Sequence, residues 1–358
     1  MLLRNRFAWA MMASALVLAP AASGLAQARK APVAAAALSP AASPEALGFD
    51  SARLAKLDAY MQGVVVSGRV AGMTTLLARH GKVVSFKIYG KKSLAAGEPM
   101  TEDTIFRIYS MTKPVTGVAM MVLFEEGKWR LDDPVTRYIP EFKTLKVVKT
   151  VNPDGTMVLE DMKRPPTMRE IMSHTAGFGY GLQDEHPVDK LYREKGVLRS
   201  NGLQEMIDRT ATIPLVFQPG TSWRYSSSVD IQGYIVEKLS GQTLGQFMEQ
   251  RIFKPLKMND TAFLVPAAKA SRLAEVYAAN KETGKIEPAR NIFGNQMPTY
   301  LTPPNNESGG AAGTWFWVDP TNDVIFVGMI QRMGGTGGDD LGGMARTLTY
   351  QALVHPEK

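Results

Sequence analysis

A serine and a lysine three residues apart, Ser110 and Lys113, are the residues of this sequence best suited to chemistry. They lie in the run IYSMTKPV, residues 108–115. Residues at this spacing lie on one face of a helix, one turn apart. A serine hydroxyl is a weak nucleophile at neutral pH, and an adjacent amine that has lost its proton can accept the hydroxyl proton. The pair therefore indicates acyl transfer.

The segments that flank the pair predict how it is positioned. Residues 104–109 are expected to approach as a strand, and the apolar run 115–123 predicts a helix buried on most sides. A serine at the start of such a helix lies near its N-terminal amides and positive dipole end. Because about one S-x-x-K spacing arises by chance in a chain this long, an ordinary exposed helix start remains the alternative.

A second candidate segment is WRYSSS, residues 223–228, which precedes an apolar helical pattern. Tyr225 and Ser227 are two positions apart and would place a phenol and a hydroxyl in the cleft that holds Ser110. A nearby ammonium stabilises a phenolate, so Tyr225 and Lys113 would share one proton. The alternative is a partly buried core tyrosine before a helix cap.

A third candidate segment is SGGAAGTW, residues 308–315, where bare backbone leads into a predicted strand. An oxyanion needs amide N–H groups that can approach it closely, and glycine beside a strand permits such an approach. One such donor is typically worth about 3 to 4 kcal/mol of transition-state stabilisation. The alternative is a glycine-rich bulge.

The composition of the chain excludes several classes of protein. With 358 residues, 45% hydrophobic and 21% charged, it is typical of a soluble globular protein. It has no cysteine, so disulfides are absent, and its four histidines lack ligand spacing, so no metal site is expected. The formal charge of +7 is scattered along the chain, which argues against a nucleic-acid partner.

The N-terminus predicts export. Residues 1–28 are expected to form a signal peptide cleaved after Ala28, because Arg4 and Arg6 precede an uncharged run that ends in small residues. The mature protein is then expected to be periplasmic or secreted, without a stable membrane span. An uncleaved anchor is the alternative, although Pro20 interrupts the run before it comfortably crosses a bilayer.

Hydrophobic periodicity divides the rest of the chain into three parts. Residues 29–46, rich in Ala and Pro, are expected to form a loose tether before one domain over 47–358. Within it, a sheet region spans about 47–105 and 262–358, and a mainly helical region spans about 106–261. The predicted fold class is α/β (α+β), with an antiparallel sheet built from both ends of the chain, flanked by helices, around a helical insertion. The predicted helices are 51–66, 115–123, 167–173, 201–210, 231–239, 247–252 and 344–354, and the predicted strands are 73–78, 83–88, 147–151, 156–159, 313–318 and 324–330.

The three candidate segments, in this order, resemble the β-lactamase and penicillin-binding-protein superfamily of serine hydrolases. The resemblance is nearest to its class C-like members, the family VIII carboxylesterases, and covers about residues 48–353. It continues through FRIYSMTKP, TMREIMSHTAG, FQPGTSWRY and GGAAGTWFWVDPTNDVIFVGM, which begin at residues 106, 167, 217 and 309. It implies a β-lactamase/transpeptidase-like fold, with a helix-covered sheet beside an all-helical region and the site in the cleft between them.

The same resemblance implies roles for individual residues. Ser110 would be the nucleophile, Lys113 its general base, and Tyr225 the group that exchanges protons with Lys113 and the leaving group. Ser227 stands where the family usually has asparagine. The other implied oxyanion-hole and substrate-binding positions are the N–H groups of Ser110 and Ala311, with Gly309 and Gly310. His174 lies in a segment typical of the family, where the histidine is structural.

One departure from the family pattern concerns charge. The third motif of β-lactamases and D-Ala-D-Ala peptidases opens with a lysine that helps bind a carboxylate, whereas Ser308 supplies no cation here. Loss of such a charge-assisted interaction usually costs about 1.5 to 3 kcal/mol, and a neutral ester loses nothing. The missing lysine therefore favours a serine carboxylesterase that hydrolyses short-chain esters through an acyl-enzyme on Ser110, with Lys113 and Tyr225 as the base system. The expected partner is a small-molecule ester or amide substrate, and no cofactor is implied. An arginine in the region 332–346 would restore the charge, which keeps β-lactamase activity open.

Two other functions remain open. One is a β-lactamase or D-Ala-D-Ala carboxypeptidase, and the other is a catalytically silent envelope-binding protein of the same fold. The lack of any G-x-S-x-G run argues against an α/β-hydrolase, whose nucleophile turn needs those glycines. The sequence does not indicate an oligomeric state.

Overall fold

The computed structural model describes residues 38–182, 186–280, 282–289, 312–334 and 340–357. Its strands in chain order are β1 (Ser39–Pro40), β2 (Gly72–Arg79), β3 (Lys82–Ser93), β4 (Glu98–Pro99), β5 (Lys146–Val151), β6 (Met157–Asp161), β7 (Tyr277–Ala279), β8 (Ile286–Pro288), β9 (Trp315–Asp319), β10 (Val324–Ile330) and β11 (Arg332–Met333). Its α-helices are α1 (Ser51–Val66), α2 (Thr112–Glu125), α3 (Met168–Ser173), α4 (Pro187–Glu194), α5 (Leu203–Thr210), α6 (Ser228–Ser240), α7 (Leu244–Met248) and α8 (Leu341–Ala352).

The main sheet joins strands from the two ends of the chain. Its order is β1-β3-β2-β10-β9, with β4 paired to β3. The pairs β2–β3, β2–β10 and β9–β10 are antiparallel, which confirms the predicted core of the sheet. The sheet is nevertheless mixed, because β1 runs parallel to β3 and pairs Ser39 with Lys82. Residues 39 and 40 of the expected tether are therefore docked on the sheet rather than loose.

Helices α1 and α8 pack against this sheet. Helix α1 begins after Asp50, whose carboxylate accepts the Arg53 N–H at 2.8 Å, an N-cap interaction. The backbone N–H of Asp50 donates to the carbonyl of Ala352 at 2.9 Å, so the start of α1 lies beside the end of α8. The core between helices and sheet includes the buried residues Phe49, Leu57, Met61, Met73, Phe326, Ile330 and Ala345.

A second core lies in the helical region, with α2 at its centre. Ala119, Met120 and Leu123 of α2 are fully buried in this core, which also contains Ile231 and Ile235 of α6. The expectation that α2 is buried on most sides needs correction, because Val118 is 50% and Met121 40% exposed. One face of the helix therefore meets solvent.

The other predicted elements occur within a few residues of their expected bounds, with one exception. Residues 104–109 do not form a strand: only Ile105 pairs, in an isolated bridge with Leu273. Helix α4 was not predicted, although His186 and Pro187 are typical of a helix start. Two small sheets complete the described fold, the hairpin β5–β6 and the set β11-β7-β8. In the described part of the chain, no helix combines the length and apolar character needed to cross a membrane.

Candidate active site

Ser110 lies in a strained turn just before α2. It is the middle residue of the 3-10 turn Tyr109–Met111. Tyr109 has a φ of +44°, a left-handed conformation that non-glycine residues seldom adopt. Its buried side chain belongs to a small cluster with Val276 and Ala312. Packing of the tyrosine therefore holds the backbone in a conformation that a free chain would avoid, next to the proposed nucleophile.

The structure brings Ser110, Lys113 and Tyr225 together. The hydroxyl of Tyr225 lies 2.6 Å from Ser110 Oγ, and Lys113 Nζ lies 3.3 Å from the same oxygen. All three side chains are half-buried. Lys113 Nζ also lies over the ring of Tyr225, 4.8 Å from its centroid. The shorter contact makes the phenol, rather than the amine, the closest hydrogen-bond partner of the serine.

Tyr180 is a member of this cluster that the sequence reasoning missed. Its hydroxyl lies 3.3 Å from Lys113 Nζ, and its ring packs edge-on against Tyr225 with centroids 5.4 Å apart. The lysine thus lies between two phenols. The signal in the sequence was the glycine-rich run GFGYG, residues 177–181, which indicates a close approach of the backbone to another group. In the structure that group is Tyr192, which leaves no room for a side chain at Gly179.

His174 packs behind Tyr225. The rings are 5.2 Å apart and tilted by 30°, and His174 Nδ1 lies 3.0 Å from Ser226 Oγ. Burial, and then the nearby charge of Lys113, lower the pKa of His174 below its ordinary value. The ring is therefore favoured in its neutral form and supports Tyr225 by packing.

Ser227 is not part of the hydrogen-bonded cluster. The residue is fully buried at the start of α6, and its backbone N–H donates to the Gly179 carbonyl at 3.0 Å. In the described residues no hydrogen bond joins it to Ser110, Lys113 or Tyr225. Its implied role in substrate binding stays a prediction.

The third candidate segment falls mostly outside the described residues. Ser308, Gly309, Gly310 and Ala311 all lie there, so their implied roles remain predictions. Described structure resumes at Ala312, whose carbonyl accepts the Arg332 N–H at 3.0 Å. Thr314 Oγ1 donates to the carbonyl of Ile108 at 3.3 Å, so the approach to β9 runs beside the Ser110 turn.

The arginines considered as substitute cations have partners elsewhere. The guanidinium of Arg332, 6% exposed, donates to the carbonyl of Arg69, and burial lowers its pKa. Arg346 lies over the ring of Trp317 in the sheet region, 5.5 Å from its centroid. Each guanidinium is therefore committed to a structural contact.

Comparison with known proteins places this chain in a family. The beta-lactamase family model matches residues 56–298. Esterase EstB of Burkholderia gladioli is 35% identical over 259 residues, which are 71% of this chain and 62% of EstB. Lovastatin esterase of Penicillium rubens is 30% identical over 210 residues, 58% of this chain and 52% of that protein. The chain therefore spans about half to three fifths of these relatives.

A solved structure with the same fold is EstCE1, described as a hydrolase with promiscuous acyltransferase activity. It aligns with a TM-score of 0.68 at 21% identity, over 85% of this chain and 99% of its own. At this identity the likeness concerns the fold alone. The family match and the sequence relatives together show that this chain belongs to the beta-lactamase family. The predicted family and fold class are thus confirmed.

Proposed function

We propose that this protein is a serine carboxylesterase that hydrolyses short-chain esters through an acyl-enzyme on Ser110. The observation that carries the proposal is one half-buried cluster in which Ser110 Oγ lies 2.6 Å from a phenol and 3.3 Å from an amine. A nucleophile within hydrogen-bond reach of its base is the arrangement that covalent acyl transfer requires. The names of EstB and lovastatin esterase support ester hydrolysis.

The geometry supports a specific route for the proton. The ammonium of Lys113 stabilises Tyr225 as a phenolate, which accepts the Ser110 proton and becomes a neutral phenol while Ser110 Oγ attacks the ester carbonyl. The tetrahedral oxyanion accepts hydrogen bonds from backbone amides, with the Ser110 N–H as the first proposed donor. Collapse transfers the proton to the departing alcohol and leaves the acyl group on Ser110. Water, activated by the same pair, then releases the acid.

The substrate class follows from charge. Among the described residues, Lys113 is the lysine that contacts Ser110, and it is already engaged with Ser110 and Tyr180. Arg332 and Arg346, the arginines of the region 332–346, contact Arg69 and Trp317. A neutral ester needs no additional cation, whereas a carboxylate-bearing lactam or peptide gains from one. This favours esters, and the family model keeps β-lactam or peptide hydrolysis as the second candidate.

Labelling by a fluorophosphonate tests the nucleophile. We expect the wild-type protein to gain one covalent adduct, located on Ser110 by mass spectrometry, and Ser110→Ala to gain none. Ser67→Ala, at an exposed serine, is the matched control and should label normally. A wild-type protein that is folded and does not label would instead support a silent binding protein.

Substrate turnover separates the two hydrolase candidates. We expect turnover of p-nitrophenyl butyrate to exceed that of nitrocefin, and the reverse preference would overturn the ester assignment. Lys113→Met removes the amine at similar volume and should lower kcat by about 100-fold or more, since acid–base groups typically contribute that much. Lys128→Met, at an exposed lysine, should leave turnover unchanged.

The proposal includes export to the periplasm or the medium. It rests on the signal-like pattern of residues 1–28, which lie outside the described residues. N-terminal sequencing of the protein recovered from its native host should find a chain that begins after Ala28. Full-length protein confined to the cytoplasm would contradict it.

A further inference from the structure

We propose that Asp189 is a positioning residue. Its carboxylate fixes the position of the segment that carries Tyr180 relative to the segment that carries Tyr225. The inference rests on the proposed function, since it concerns the geometry around Ser110. Asp189 lies in the first turn of α4 and is fully buried. A buried carboxylate is costly unless it is fully paired, so its partners identify what it stabilises.

One oxygen of the carboxylate binds the segment of Tyr180. Asp189 Oδ1 accepts the backbone N–H of Tyr180 at 2.9 Å and that of Gly181 at 2.6 Å. Hydrogen bonds to an ionised acceptor are stronger than neutral ones, so this pair of contacts fixes the local backbone. Because the Tyr180 hydroxyl contacts Lys113, the fixed backbone also fixes this contact.

The other oxygen binds the segment of Tyr225. Asp189 Oδ2 accepts from Nη2 of Arg224, whose side chain is 16% exposed. Arg224 directly precedes Tyr225, and its own N–H donates to the His174 carbonyl at 3.0 Å. The ion pair therefore anchors the residue next to the phenol that bonds Ser110.

Asp189 bonds to the two chain segments that carry Tyr180 and Tyr225, and the phenols of these two residues contact the reacting groups. Tyr225 reaches Ser110 and Tyr180 reaches Lys113, so a shift of either segment changes a contact of the nucleophile or its base. A misplacement of about 1 Å in such a site can cost about 100-fold in rate. Asp189 is thus expected to act through the two tyrosines rather than on the substrate.

The test uses Asp189→Asn, which keeps the shape of the side chain and removes its charge. We expect kcat for p-nitrophenyl butyrate and the rate of fluorophosphonate labelling to fall about 10- to 100-fold, with KM changed by less than about threefold. Asp208→Asn, at an exposed carboxylate of α5, is the control and should behave like wild type.

A double-mutant cycle distinguishes positioning from general destabilisation. In a Tyr180→Phe/Tyr225→Phe background, Asp189→Asn should slow labelling by less than about threefold, because the groups it positions are already removed. Equal slowing in both backgrounds would overturn the proposal, as would an unchanged labelling rate in folded Asp189→Asn. Circular dichroism and thermal unfolding establish folding.

A second variant covers a failure of Asp189→Asn to fold. Arg224→Lys keeps the positive charge and loses the planar fork, so labelling should slow by about 5- to 20-fold, again only when the two phenols are present. Wild-type labelling rates from folded Arg224→Lys would overturn the proposal. If the wild-type protein itself is not labelled on Ser110, the proposed function fails rather than the role of Asp189.

Discussion

At the scale of single residues, removal of the Tyr225 hydroxyl distinguishes a catalytic role of this residue from a packing role. Tyr225→Phe keeps the ring contacts with His174 and Tyr180 and removes the 2.6 Å hydrogen bond to Ser110. We expect kcat for p-nitrophenyl butyrate to fall by about 100- to 10,000-fold, the usual contribution of an acid–base group, with little change in stability.

Tyr60→Phe is the matched control for that substitution. The hydroxyl of Tyr60 is buried and makes no hydrogen bond within the described residues, so its removal should leave both turnover and stability near wild type. Comparable turnover in Tyr225→Phe and Tyr60→Phe would reduce Tyr225 to a packing role.

His174 predicts a pH dependence of stability. Its pKa is lowered in the folded protein by burial and by Lys113, so the unfolded chain binds this proton more readily. Stability therefore falls as the pH drops below the ordinary histidine value of 6.5, and the loss is complete below the lowered folded-state pKa. His174→Asn should lose less stability than wild type between about pH 7.5 and about pH 5, as measured by urea unfolding.

The pKa of His186 is also lowered, by burial and then by the charge of Arg224. His174→Asn therefore removes only part of the pH dependence of stability. His355→Asn, at an exposed histidine, is the control and should retain the wild-type dependence. A His174→Asn profile identical to wild type would contradict the inferred burial of this ring.

At the scale of elements, the close packing of β9 on β10 depends on a glycine. Gly328 pairs with Trp315, and a methyl group at Gly328 would overlap the indole ring. Gly328→Ala should therefore lower the free energy of unfolding by about 1 to 3 kcal/mol, the usual cost of overpacking. Urea unfolding measures the change.

Gly63 provides the opposite case within a helix. It is exposed on α1, and a methyl group there would meet no other atom within 4 Å. Gly63→Ala should raise the free energy of unfolding by about 0.5 to 1 kcal/mol, because alanine favours the helix. If Gly328→Ala leaves the free energy of unfolding unchanged or raises it, the close fit around Gly328 is wrong.

The elements also show where sequence patterns stop being informative. Helix α1 was predicted because Leu54, Leu57 and Met61 recur at helical spacing, and all three are buried. The hairpin β2–β3 was predicted because two strand-like runs flank the turn at residues 80–82. Helix α4 was missed because it is short and mostly polar, with Val188 and Tyr192 as its buried apolar residues. The buried Asp189 it carries gives no hydrophobic signal at all. The strand predicted over residues 104–109 was wrong for a different reason, since tertiary packing of Tyr109 overrides the extended preference of its neighbours.

At the scale of the whole molecule, Arg79 joins distant parts of the chain. Its buried guanidinium donates to the carbonyls of Leu47, Asn322 and His355, and it pairs with Glu357. Arg79→Leu leaves these carbonyls without a charged donor, and we expect a loss of about 3 kcal/mol or more in the free energy of unfolding.

Hydrogen exchange provides a local readout for Arg79→Leu. Amides near Leu47 and near the C-terminal residues 353–357 should exchange faster in this variant, because both segments lose their shared anchor. Lys82→Leu, at the exposed partner of Arg79 across the hairpin, should change neither stability nor exchange appreciably. Unchanged exchange near Leu47 and over residues 353–357 in Arg79→Leu would show that these two segments are held by other contacts.

The sequence by itself determined the fold class and the family, because periodic patterns and motifs that resemble those of a known family lie along the chain, and it singled out Ser110, Lys113 and Tyr225 as candidates. Only the tertiary structure decided that the phenol lies nearer the serine than the amine does, that Tyr180 joins the cluster, and that Asp189 links the segments of both tyrosines. These are contacts between residues far apart in the chain. They depend on packing of helices and loops, which local spacing does not encode.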